Sequence, residues 1–174
     1  MKLSEIKIGK IFTVAGVEFI KITDEGDACA VVAKDVAFNC EFGKNNNLSE
    51  STVLNRLKTE FLPNIEKAVG SENVKEFEVD LTSLDGLDTY GKINTKIAIP
   101  TFDFYRKNVR TFDKYKPECW WCLATPDTTK EHLNDYWTVC VSPFGNINYY
   151  DYNLNVGVRP FLYFVSSISV SCEE

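Results

Sequence analysis

With 174 residues, 44% of them hydrophobic and 13% aromatic, the chain is long enough for one domain with a core of its own. This composition argues against intrinsic disorder, and no apolar run approaches the roughly 18 residues that a membrane helix requires. The net charge of −6 disfavours general nucleic-acid binding, because polyanions attract basic proteins, and it leaves a basic protein partner possible.

The amino-terminal third predicts a small antiparallel meander. Residues 1–10 alternate charged and aliphatic side chains without the apolar centre of a signal peptide, which predicts a cytoplasmic protein or one released from a lysed cell. Strands are predicted over 11–14 and 17–22, joined by a tight Ala15-Gly16 turn, and a further reversal leads into a strand over 28–33.

The middle of the chain predicts a helix-rich insertion over about 49–110. Apolar residues at helical spacing predict an amphipathic helix over 50–62, with Asn47 or Ser49 as its cap and Pro63 as its end. A shorter helix is expected to follow as far as Gly70, so that the two form an αα unit on the sheet.

The rest of this middle segment predicts shorter elements. Residues 74–81 alternate well enough to predict a strand, and 97–99 predict a short extended run. Thr101 is the expected cap of a third, short helix over 102–108.

Residues 119–165 predict a β-rich carboxyl core. Within it, residues 136–141 alternate like a strand, 142–146 predict a turn, and 147–152 predict the returning strand of a hairpin.

Three motifs in this core carry a resemblance: Trp120-Trp121 with Thr125-Pro126, the stretch 139–145, and Gly157-Val158-Arg159-Pro160. With them the chain resembles a family of uncharacterised bacterial and phage proteins, in which a Trp-Trp-Leu-Arg-Ser-Pro-like strand precedes a terminal Gly-Val-Arg-Pro. Those proteins look similar to the C-type-lectin-like fold shared by formylglycine-generating enzymes and by the variable proteins of diversity-generating retroelements. Ala124 stands where the family pattern has arginine, so no role of that arginine transfers.

The resemblance implies an α+β fold, a C-type-lectin-like mixed fold with antiparallel sheets and two or three packed helices in a single domain over 1–174. Its enzymatic branch needs a copper-binding thiol pair, yet only Cys172 follows Cys140. Its calcium-binding branch is only echoed by residues 125–127 and 134–137, in the wrong arrangement. No metal and no cofactor is therefore predicted.

No catalytic residue is predicted either. Six cysteines contain one close pair, Cys119 and Cys122, and His132 is the only histidine, so a zinc site or a histidine-based dyad lacks partners. Three residues are expected to be structural anchors: Trp120 and Trp121, which point to opposite faces of one strand, and Arg159, which needs carboxylate or carbonyl partners beside the core.

The functional prediction depends on residues 145–155, which are dense in Tyr, Asn and Asp, the mixture that binding loops use. The first hypothesis is a noncatalytic module that holds a protein or glycan. The second is a phage-encoded inhibitor of a bacterial defence system, an anti-CRISPR or a signal sponge, and the third is an unidentified enzyme. No oligomeric state is predicted, and the expected ligand-binding residues are Tyr136, Phe144, Asn146, Asn148, Tyr150, Tyr152 and Asn153.

Overall fold

This computed structural model describes residues 1–172. Twelve strands in this part of the chain form two five-stranded sheets and one two-stranded sheet. The architecture is α+β, and every strand pair is antiparallel except β8 with β11. The strands are β1 (Ile11–Val14), β2 (Val17–Glu25), β3 (Ala28–Ala33), β4 (Phe38–Glu41), β5 (Val74–Lys75), β6 (Phe77–Asp80), β7 (Lys92–Thr95), β8 (Trp121–Pro126), β9 (Trp137–Val141), β10 (Ile147–Asp151), β11 (Asn155–Val158) and β12 (Phe161–Val165).

The first sheet has the strand order β1-β2-β3-β12-β5. The predicted meander of β1, β2 and β3 is confirmed, and its first turn places Ala15 and Gly16 at φ +52° and +76°, the left-handed pair that suits a two-residue hairpin turn. The last strand, β12, returns to lie between β3 and β5. The chain therefore closes its first sheet with residues from its far end.

The second sheet has the order β10-β9-β8-β11-β4. It contains the predicted hairpin, in which β9 pairs with β10. The carboxyl segment 119–165 does not form this sheet alone, because β4 comes from the amino-terminal third and β12 belongs to the first sheet.

One long helical segment runs from 52 to 69, as α1 (Thr52–Arg56), a π-helical turn (Leu57–Phe61) and α2 (Leu62–Val69). The prediction that Pro63 ends the first helix is wrong, because the helical backbone continues through it. The predicted shorter helix as far as Gly70 is confirmed as α2, with Pro63 in its first turn, where the missing N–H and fixed φ are tolerated. Ser51 caps the amino end of this segment, since its Oγ accepts the N–H of Leu54 at 3.0 Å. Of the two predicted caps, Asn47 caps the preceding 3-10 turn (Leu48–Glu50) instead, and Ser49 lies within that turn.

The predicted helical insertion over 49–110 is only partly helical, since it also holds β5, β6 and β7. The predicted strand over 74–81 breaks at Glu76 into β5 and β6, which join different sheets. The run 97–99 makes one isolated bridge, between Ala98 and Phe161. The helix that Thr101 caps is confirmed as α3 (Phe102–Lys107), and α4 (Val109–Phe112) follows it.

Two apolar clusters pack on opposite faces of the two sheets. The larger lies between the sheets and the 52–69 helix and includes Phe19, Leu57, Cys140 and Phe164. The smaller packs α3 and α4 on the opposite faces, around Trp121. No helix in residues 1–172 combines the length and the apolarity needed to cross a membrane.

Candidate functional site: the β9–β10 ribbon

The β9–β10 ribbon forms one edge of the second sheet, with β10 as the outermost strand. Residues paired across two antiparallel strands point to the same face. Thr138 pairs with Tyr150 and Cys140 with Asn148, whereas Val139 pairs with Tyr149 and Val141 with Ile147. The ribbon therefore has an even face, carrying residues 136, 138, 140, 148, 150 and 152, and an odd face, carrying residues 137, 139, 141, 147, 149 and 151.

The even face holds four of the predicted ligand-binding residues. Tyr136 is 53% exposed and Asn148 is exposed. Tyr150 and Tyr152 are only half-buried, because both rings pack on the larger apolar cluster. The Tyr150 ring stacks on Trp120 at 6.0 Å, and the Tyr152 ring lies 6.3 Å from that of Tyr136. This face thus divides its side chains between the core and the solvent.

The tip of the ribbon, residues 142–146, is an ordered turn. The Oγ of Ser142 accepts the N–H groups of Phe144 at 3.2 Å and of Asn146 at 3.0 Å. Gly145 adopts φ +88°, a left-handed conformation that favours glycine. Phe144 is 83% exposed. Asn146 and Asn153 are exposed as well.

The odd face is the part of the surface that sequence reasoning missed. Trp137, Ile147 and Tyr149 are 39%, 38% and 54% exposed. Their neighbours Val139 and Val141 in the same register are buried. The one sequence signal for this exposed face is that apolar and aromatic residues occupy both alternating positions of 147–152. This pattern predicts two apolar faces, but it does not show which of them is left exposed to solvent.

Asp127 brings a carboxyl group to this odd face. Its N–H donates to the Trp137 carbonyl at 3.3 Å, and its side chain lies beside Tyr149. Burial raises the pKa of Asp127, and the nearby Tyr149 hydroxyl opposes that rise. An aromatic pair with an adjacent carboxyl can both stack on a ligand and accept hydrogen bonds from it.

The predicted anchor residues lie behind the ribbon. Trp121 is buried and stacks on Phe112 at 5.9 Å, while Trp120 is half-buried under Tyr150. Arg159 is 1% exposed, and its partners are carbonyls: Nε donates to Ala33 and Nη2 to Lys34, each at 3.0 Å. Burial lowers the pKa of Arg159 to about 10, and its guanidinium lies 4.6 Å from the centre of the Trp121 ring.

A buried amide fixes the loop at the base of the ribbon. Asn46, fully buried, donates to the carbonyls of Thr128 at 2.9 Å and Trp137 at 3.0 Å, and accepts from the Tyr90 hydroxyl at 2.7 Å. Burial raises the pKa of Tyr90 to about 12. The ribbon is therefore tied to two distant loops.

Asp85 and His132 lie together in the same loop region. The carboxylate of Asp85 accepts from Ser83, from Thr128 at 2.6 Å and from His132 Nδ1 at 2.8 Å. His132 is 57% exposed, and Ser83 donates to the carboxylate rather than to the imidazole. These three residues thus lack the hydroxyl–imidazole contact on which a serine nucleophile depends.

We expect Asp85→Asn to lower the melting temperature by a few degrees at pH 7, because an amide is a weaker acceptor for these three donors. The hydrogen bonds, first that of Ser83, lower the pKa of Asp85 from 3.8 to about 2. Because the pKa of Asp85 is lower in the folded than in the unfolded chain, its carboxylate stabilises the fold fully above pH 3.8. That stabilisation is lost as the pH falls through about 2. Thermal melts from pH 7 to 2 should show the difference from wild type shrinking with acid. A difference that stays constant, or an equal loss in the exposed control Asp88→Asn, would contradict this role.

The cysteines are held as thiols in the described residues. Cys122 and Cys140 face each other across β8 and β9, and burial raises the pKa of both, that of Cys140 to about 12. Burial also raises the pKa of Cys119. Within residues 1–172 no three side chains of the metal-binding kinds converge on a common point.

Comparisons of this chain with protein-family models, with curated proteins and with solved structures found no match. The candidate site therefore consists of the exposed tip with Phe144, the exposed aromatic residues Trp137 and Tyr149 on the odd face, and the half-buried carboxyl group of Asp127.

Proposed function

We propose that this chain is a noncatalytic binding module that holds a protein or glycan on the β9–β10 ribbon. One observation carries the proposal: of the eleven large hydrophobic side chains exposed in residues 1–172, seven lie between 133 and 154. Three of them, Trp137, Ile147 and Tyr149, share the odd face, and an exposed apolar patch of this kind is a mark of an interaction site. The seven are Leu133, Tyr136, Trp137, Phe144, Ile147, Tyr149 and Leu154.

We further propose that the fold is C-type-lectin-like. The mixed sheets, the packed 52–69 helix and a hairpin placed just before the terminal Gly-Val-Arg strand support this assignment. In that fold, the loops near the carboxyl end present the ligand surface, as the resemblance in sequence implies.

The chemistry of the ribbon favours a neutral or basic ligand. Residues 131–155 contain no Lys or Arg, although Lys116 reaches the tip and donates to the Phe144 carbonyl at 3.4 Å. Asp127, Glu131 and Asp151 border or belong to the ribbon. Tyr and Trp rings offer rigid contact area at a low cost in side-chain entropy, and the exposed amides of Asn146 and Asn148 donate and accept hydrogen bonds. Sugar hydroxyls or peptide groups suit this mixture.

The test separates the odd face from the even face. The chain is screened against a glycan panel and by affinity capture, and each hit is titrated with purified ligand. We expect Trp137→Ala with Tyr149→Ala to weaken binding by more than about tenfold, because central aromatic contacts dominate interfaces. The melting temperature should change by only a few degrees, since both side chains are substantially exposed.

The matched control is Ile8→Ala with Val109→Ala, which removes two exposed apolar side chains elsewhere and should leave binding unchanged. Tyr150→Ala with Tyr152→Ala is a poorer test, because both rings pack on the core and their loss should also destabilise the fold. Ligand binding that survives the odd-face pair would end the proposal for this face.

The second candidate is the phage-encoded inhibitor, an anti-CRISPR or a signal sponge that acts by stoichiometric binding. The observation that favours it is an acidic surface on which Glu72, Glu76 and Glu78 are all exposed, as blockade of a basic defence protein would need. Neighbouring genes for phage counter-defence would favour the inhibitor. A neighbouring reverse-transcriptase gene with a template repeat would favour the binding module that uses the ribbon.

A further inference from the structure

A groove made of three adjoining cavities that share lining residues runs along β6, separate from the β9–β10 ribbon. It consists of two bowls of about 480 and 330 Å³ joined by a neck of about 80 Å³. Glu78 borders all three parts, and Phe77 and Tyr163 border both the neck and the smaller bowl. Each bowl is within the size range of ligand pockets, so the groove has room for several residues of a peptide.

Aromatic rings line the neck. The ring centre of Phe77 lies 4.9 Å from that of Tyr163 and 5.4 Å from that of Phe161, and Phe104 lies 4.7 Å from Phe161. Tyr163 is half-buried and its hydroxyl donates to Glu25 at 3.3 Å. Aromatic faces attract cations, and a neighbouring carboxylate strengthens that attraction.

Carboxylates outnumber cations around the groove. Five acidic side chains border it against two basic ones: Lys75 pairs with Asp27, and Arg106 with Asp103 at 2.7 Å. Two more lysines reach these carboxylates, Lys92 at 3.3 Å from Glu78 and Lys107 at 2.8 Å from Asp103. Within the described residues, Glu25, Glu76 and Asp80 have no ion-pair partner. The acidic residues are Glu25, Glu76, Glu78, Asp80 and Asp103. The groove therefore presents a negative potential over an apolar floor.

Strand β6, which borders the groove, has one edge whose main-chain groups pair with no other strand in the described residues. In the described part of the chain β6 pairs only with β7, in a two-stranded sheet, so its other edge has no strand partner. A free strand edge is a template for an added extended segment. At about 3.3 Å per residue, the four residues of β6 match roughly four residues of such a segment.

We propose that this groove binds an extended segment rich in lysine and arginine from a partner protein. The carboxylate border attracts its cations, the rings of Phe77 and Tyr163 accept them or their alkyl stems, and β6 pairs with its main chain. A free polyamine would meet the carboxylates but could not use the strand edge. The site is independent of the ribbon and could serve a second partner.

The probe is the fluorescein-labelled peptide Lys-Thr-Arg-Val-Lys-Thr-Arg-Val, titrated with the full chain by anisotropy. Its matched controls are a peptide with Glu in place of each Lys and Arg, and spermine as a competitor. We expect Glu76→Gln with Glu78→Gln to weaken binding by about tenfold at low salt, because each removed carboxylate is an exposed or half-exposed partner worth a few-fold. Both side chains are exposed, so the fold should be retained.

The control variant Glu118→Gln with Glu131→Gln changes the net charge equally at exposed positions outside the groove. The control variant should change the Kd of the peptide less than twofold, because salt screens charges that lie far from the bound peptide. An equal loss in both variants would overturn the proposal in favour of nonspecific attraction, and so would binding of the acidic peptide. If spermine were to bind more tightly than the peptide, the proposal of a peptide ligand would be wrong and the groove would be a polyamine site. The groove variants should retain any ligand of the ribbon, so this result is independent of the test of the odd face.

Discussion

Arg159→Ala is expected to lower the free energy of unfolding by about 3 to 5 kcal/mol, the range for a large buried side chain whose polar partners lose their donor. The Ala33 and Lys34 carbonyls would lose the N–H groups that now reach them at 3.0 Å. The space under the Trp121 and Phe112 rings would become a cavity, since the guanidinium now lies against both. Urea denaturation of the two proteins measures the difference.

Two further variants separate these contributions. Arg159→Met keeps much of the volume and removes the donors, so it should recover part of the loss. Arg159→Lys keeps the charge but can donate from a single nitrogen, and we expect a loss between those of the other two variants. If Arg159→Ala were to unfold at the wild-type urea concentration, the anchoring role of Arg159 would be wrong.

Gly157→Ala is expected to cost about 3 kcal/mol, the upper part of the range for overpacking. Gly157 lies where β11 runs parallel to β8, and its N–H donates to the Trp120 carbonyl at 2.9 Å. An added Cβ would lie 2.6 Å from that same oxygen and 2.7 Å from a methyl of Val36. Because a backbone oxygen cannot rotate away, the strand itself must shift, and a melting temperature lower by about 10 °C should result.

The double variant Gly157→Ala with Val36→Ala tests this mechanism. Removing the Val36 methyls relieves one contact and leaves the contact with the Trp120 carbonyl, so we expect most of the destabilisation to remain. Gly16→Ala is the control for a glycine with open space around it, and should cost only about 1 kcal/mol for its positive φ. Full recovery in the double variant would assign the cost to Val36 rather than to the carbonyl.

These two residues give the terminal Gly-Val-Arg-Pro motif a physical meaning. Gly157 permits the close approach of β11 to β8, and two residues later Arg159 binds the end of β3 through its carbonyls. Pro160 continues the same junction by accepting the N–H of Ala33 at 2.8 Å. The motif joins the two sheets of the molecule, which explains why residue types this specific occur at the start of the last long strand.

The sequence by itself determined the elements whose signal is local. The meander over 11–33, the cap at Thr101 and the β9–β10 hairpin follow from side-chain period, turn chemistry and capping, which depend on near neighbours. The requirement for polar partners at Arg159 was also readable, because a guanidinium between apolar residues must be satisfied wherever it lies.

Only the tertiary structure decided what covers each face. Residues 137 and 139 share one register, yet Val139 is buried and Trp137 is exposed, because β10 is an edge strand and the α3–α4 packing does not cover this end of the ribbon. The helix runs past Pro63 through a π turn, and the break at Glu76 sends β5 and β6 to different sheets, which opens the groove along β6. Burial is set by elements that arrive from distant parts of the chain, and a local pattern carries no record of them.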